Sequence, residues 1–158
     1  MQGKKQALAT YLQDHLAGSV QAIELIDSIR QDHRNEELGE FASRLMTDVK
    51  SDQEILRRVA DTVGAGPSSL KETTAWIAEK LTLIKLHRKS NSGLGVFEAL
   101  EFLELGIHGK WTLWRALGEL AHVNSDLDSF DFAKLAESAA RQRSEVEAQR
   151  LKLVRKTF

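Results

Sequence analysis

Apolar residues recur at three- and four-residue intervals along most of the chain, and that spacing predicts amphipathic helices. Over 5–31 the stripe runs through Leu8, Leu12, Leu16, Val20, Ile23, Ile26 and Ile29, with His15, Ser19 and Ala22 on the same broad face. The segment QDHRN interrupts it. A second helix, about 35–63, carries Leu38, Phe41, Leu45, Val49, Ile55, Leu56 and Val59, but Asp48 and Asp52 fall where that stripe expects apolar side chains. Gly64, Ala65, Gly66 and Pro67 then combine a helix-stopping glycine with a proline suited to starting a new element. Ser69 followed by Glu72 forms a capping box. A third helix, about 68–88, presents Leu70, Trp76, Ile77, Leu81 and Ile84 before KSNSGLG breaks it. A fourth covers about 94–122. Asp128 or Ser129 is the expected N-cap of the last, about 130–156, with Phe132, Leu135, Ala139, Val146, Leu153 and Val154 on its apolar side. No strand pattern competes, since the β-branched residues sit at helical spacing.

The expected fold is therefore all-α. Short connections make the first two helices antiparallel to each other, and likewise the last two. A crossover of about 20 residues would be about 30 Å long, enough to return the chain from one end of a bundle to the other. Helices two and four of the five then run parallel. Two antiparallel hairpins joined by one long crossover is the connectivity of ferritin-like bundles.

Composition narrows the function classes. The 158 residues hold 42% hydrophobic and 28% charged side chains, which fits one globular domain spanning 1–158. Twenty-two lysines and arginines stand against 23 acids, a net charge of −1, so there is no electrostatic argument for a nucleic-acid partner. Cysteine is absent, which excludes disulfides, thiolate chemistry and cysteine-based metal sites. The N-terminal MQGKKQALATYLQDH lacks the apolar run of a signal peptide, and no later stretch is long enough to span a bilayer, so a cytoplasmic location is expected. No strand-turn-helix elbow or glycine-rich loop points to a hydrolase or a nucleotide binder.

The helical rise of 1.5 Å per residue sets heights along the bundle. The expected central level holds His15, Ser19, Asp48, Asp52, Glu104, His108, Gln142 and Arg143. In ALEFLELGIHGKWTLW, Glu101, Glu104 and His108 share one helical face, with Glu101 nearer the rim. The stretch HLAGSVQAIE resembles the first helix of bacterioferritins, and LELGIHGK resembles part of their third bundle helix. The chain thus resembles the ferritin-like superfamily, whose di-iron members draw a glutamate from each of two helices and a Glu-x-x-His from each of the other two. What the resemblance implies for the ligands fails at most positions. Ser19 stands at the first glutamate position, Asp48-Val49-Lys50-Ser51 replaces one Glu-x-x-His, and Arg141-Gln142-Arg143-Ser144 holds no histidine. Only Glu104 matches.

Two readings of the centre follow. Asp48, Asp52, Glu104 and His108 could hold iron, manganese or zinc, giving a metalloprotein for storage or oxidative chemistry. Alternatively Arg143 supplies the counter-charge, and the polar residues form a closed network without metal or other cofactor. The second is preferred, with a non-enzymatic structural or interaction role and a homodimer as the expected assembly. Glu24 is expected in a salt bridge or interface, and Trp76, Trp111 and Trp114 in the core. The stretches KLTLIKLHRK and RLKLVRKTF admit a third reading, a membrane surface or partner helix, although cations closing a helix C-terminus account for them too.

Overall fold

The computed structural model describes residues 1–65 and 93–158, together with Glu79, Thr82 and Ile84. Among these residues the protein is all-α. The helices are α1 (Gln2–Asp32), α2 (Glu37–Thr62), α3 (Leu94–Ala121) and α4 (Phe132–Thr157), with one 3-10 turn at Ser125–Leu127. The expected helix at 68–88 lies outside the described residues, apart from helical Glu79, Thr82 and Ile84, of which Ile84 is buried. The Ser69–Glu72 capping box, Pro67 and Trp76 lie outside them as well.

Local chemistry explains the helix ends. At the end of α2, Gly64 takes φ +71°, and the amides of Gly64 and Ala65 donate to the carbonyls of Asp61 and Ala60, a Schellman closure. The start of α4 differs from expectation: Asp131, not Asp128 or Ser129, accepts the Lys134 amide. The reason is the 3-10 turn, capped by the Asn124 side chain, which buries Leu127 completely and delays the helix. Between α1 and α2 the chain turns tightly enough that a Cβ on Gly39 would collide with the His33 carbonyl.

Contacts between helices fix their directions. Glu37 near the start of α2 meets Lys152 near the end of α4, and further along Asp52 meets Gln142, so these two helices run antiparallel. Glu101 meets Arg150 and Trp114 meets Phe132, so α3 and α4 are antiparallel too. Helices α2 and α3 are therefore parallel.

All four helices contribute to the core. Leu45, Val49, Leu56 and Val59 of α2 face Leu103, Ile107, Trp114 and Leu117 of α3 and Ala139 and Val146 of α4, all buried. In α1 the interior residues are Leu12, Ala17, Leu25, Ile26 and Ile29, whereas Val20 is exposed. Successive four-residue steps advance 40° beyond a full turn, so the run from Leu8 to Val20 drifts off the core face. No described helix is long and apolar enough to cross a membrane.

Candidate functional site

At one level the core-facing sides of α2, α3 and α4 are each interrupted by polar residues. Asp52 interrupts α2 between Val49 and Leu56, Lys110 interrupts α3 between Ile107 and Trp114, and Gln142 interrupts α4 between Ala139 and Val146. The three side chains bond to one another. Lys110 Nζ donates to Asp52 Oδ2 at 2.6 Å and to Gln142 Oε1 at 2.5 Å, and Gln142 Nε2 donates to Asp52 Oδ2 at 3.1 Å. Buried charges persist only when paired and hydrogen-bonded, and this closed ring meets both conditions. Burial still dominates at Lys110 and pushes its ammonium below the ordinary lysine range, against the opposing charges of Asp52 and Asp48.

Beside this triad a cavity of about 340 Å³ opens between α1 and α3, with α2 as its floor. Apolar side chains dominate the lining: Ala22, Ile26, Leu56, Phe102, Leu105 and Leu113 among them. Gly18, Gly106 and Gly109 also border it, and a Cβ on any of the three would meet no atom within 4 Å. These glycines keep the α1–α3 seam open. The polar border consists of Asp14, His15, Ser19, Asp52, Gln53 and Lys110. Gln53 donates to Ser19 Oγ at 2.8 Å, which in turn donates to the Leu16 carbonyl at 2.6 Å. His15 stands edge-on to Tyr11, and burial lowers its pKa. The Trp114 indole N–H is buried without a hydrogen-bond partner among the described residues.

The residues expected at the centre divide into two groups. Asp52 and Gln142 belong to the triad, and His15 and Ser19 line the cavity. Glu104, His108 and Arg143 are instead on the outer seam of α3 and α4: Arg143 Nε donates to Glu104 at 2.5 Å and its Nη1 approaches His108 Nδ1 at 3.3 Å. Because guanidinium only donates, His108 Nδ1 is the acceptor there and its proton resides on Nε2. Arg143 is half-exposed, so the cation that neutralises the interior is Lys110, not Arg143. Asp48 is also at the surface, 3.9 Å from Arg141. Glu101 pairs with Arg150 at the rim.

The metal-ligand set Asp48, Asp52, Glu104 and His108 is not brought together, and each member already faces a cation. Among the described residues no three His, Asp or Glu side chains converge where an ion could be held. As placed, these residues do not fit a di-iron centre. Of the tryptophans, Trp114 is in the core, while Trp111 is only partly buried, stacked on His108 and covered by Arg115. Glu24 is exposed. The C-terminal cations act partly within the bundle, Lys152 on Glu37 and Arg150 over the Phe97 ring.

Lys110 and His108 are two residues apart, about 200° around the helix, so the face that carries Glu104 and His108 does not carry Lys110. The heptad spacing Leu103, Ile107, Lys110, Trp114, Leu117 was the available signal. Comparisons of the chain with protein-family models, curated proteins and solved structures find no match.

Proposed function

We propose that the protein is a non-enzymatic, ferritin-like helical bundle that binds a small, largely apolar molecule in the cavity between α1, α2 and α3. The observation that carries this reading is the cavity itself. About 340 Å³ of space bordered mostly by apolar side chains, with a few polar groups at one side, is the character of a small-molecule pocket. A bundle with no binding role would gain stability by closing such a space, since voids forfeit dispersion contacts. The parallel α2 and α3 support the ferritin-like connectivity. The metal reading is less well supported, because arginine or lysine already engages each candidate ligand.

Naphthalene, a neutral probe of suitable size, tests the reading. Saturating naphthalene is expected to raise the melting temperature of the full chain, and Gly109→Leu, which puts a side chain into the open space, is expected to abolish that increase while leaving the fold intact. Naphthalene that leaves the melt unchanged, or that stabilises Gly109→Leu equally, would overturn it.

A further inference from the structure

The polar side of the cavity also indicates what kind of head group the occupant carries, an inference that rests on the cavity being a binding site. A lysine ammonium has three donors. Two are used on Asp52 and Gln142, and among the described residues the third has no acceptor. Lys110 borders the cavity, and a ligand oxygen at this place would accept that third hydrogen bond.

Charge decides which oxygen. Asp52 already neutralises Lys110 at 2.6 Å. His15 contributes no compensating cation near neutral pH, since burial lowers its pKa. A ligand carboxylate would thus bring a second anion beside Asp52, in surroundings too apolar to screen it. A carbonyl group accepts the same hydrogen bond without that repulsion.

We propose that Lys110 recognises a neutral carbonyl oxygen on an aromatic or otherwise apolar ligand, and that Asp52 discriminates against the corresponding carboxylate. The recognition is non-covalent, and Lys110 keeps its bonds to Asp52 and Gln142.

Equilibrium dialysis of the full chain against naphthalene, 2-acetylnaphthalene and 2-naphthoate tests this. In the unaltered protein the ketone should bind at least about tenfold more tightly than naphthalene, a typical gain for one hydrogen bond made in a dry site, and the carboxylate more weakly than the ketone. In Asp52→Asn the unpaired ammonium should invert the order, so that 2-naphthoate binds more tightly than the ketone. Lys110→Met combined with Asp52→Asn removes both charges together, which guards the fold, and should strip the ketone of most of its advantage over naphthalene. A ketone no tighter than naphthalene, or a carboxylate preferred in the unaltered protein, would overturn the assignment while leaving the cavity a binding site. So would a ketone preference that survives the double substitution. Failure of all three compounds to bind would remove the underlying reading and this inference with it.

Discussion

The Lys110–Asp52 pair is one-sixth exposed or less at both ends, so its members depend on each other. Lys110→Met leaves the Asp52 carboxylate buried with only Gln142 as donor, and should cost about 3–5 kcal/mol in urea unfolding. Replacing both residues, Lys110→Met with Asp52→Leu, should recover most of that loss, because an apolar pair carries no desolvation penalty. The same burial sets a pH dependence. A native lysine with lowered pKa releases its proton before the unfolded chain does, so unfolding free energy should rise with pH in the interval ending at the ordinary value of 10.5. His15 behaves with the same sign at lower pH. Below the ordinary value of 6.5 the unfolded chain takes a proton that the native state resists, so stability should fall as the solution is acidified through 6.5. Urea midpoints for His15→Gln should lack that part of the slope; an unchanged slope would assign it elsewhere. At this scale the sequence was readable at Asp52, where polarity broke a stripe, and at Gln142, which the rise per residue put at the central level. It misled where a polar pair formed a stripe of its own: Glu104 and His108 share a face, but that face meets Arg143 on the α3–α4 seam and not the Asp52 level of the core.

Helix ends and helix seams were legible to different degrees. The α2 terminus was readable because a single glycine carries the required positive φ, whereas the α4 terminus was not, because the burial of Leu127 is a tertiary event that no cap pattern announces. Glycines inside helices show the same division. Gly39 and Gly109 look alike in the chain, yet a Cβ on Gly39 would run into the His33 backbone while one on Gly109 meets open space. Gly39→Ala is therefore expected to destabilise by about 2 kcal/mol or more through strain in the α1–α2 turn. Gly109→Ala should stabilise by about 0.5–1 kcal/mol, the ordinary gain of replacing glycine within a helix. Chemical denaturation of the two variants side by side checks both, and equal effects would show that backbone entropy alone governs these sites. At the N-terminus of α4, Asp131→Ala should cost about 1 kcal/mol by freeing the Lys134 amide.

For the molecule as a whole, connection lengths made the directions of the helices readable, and the rise per residue made heights along the bundle readable. Rotation about each helix axis was not. Height alone put Arg143, Glu104 and His108 at the centre with Asp52; packing set these three together on the α3–α4 seam and brought Lys110 in. That rotation separates a bundle organised around an ion from one organised around an apolar ligand, and the two respond differently to additives. A ligand that binds only the native state stabilises it by RT ln(1 + [L]/Kd), about 2.7 kcal/mol at a hundredfold excess over Kd. For a chain of 158 residues this corresponds to an increase of about 5–10 °C in melting temperature. Saturating naphthalene should reach that range. Manganese, zinc and, without oxygen, ferrous iron would have to displace Lys110 from Asp52, Arg143 from Glu104 and His108, and Arg141 from Asp48, with no three ligands converging as a reward. The melting temperature should therefore stay within error when any of these ions is added, and chelation after purification should leave it unchanged. A metal-dependent rise lost in His108→Ala would mean that the outer seam of α3 and α4 closes around an ion, and that the cavity is incidental to what the bundle binds.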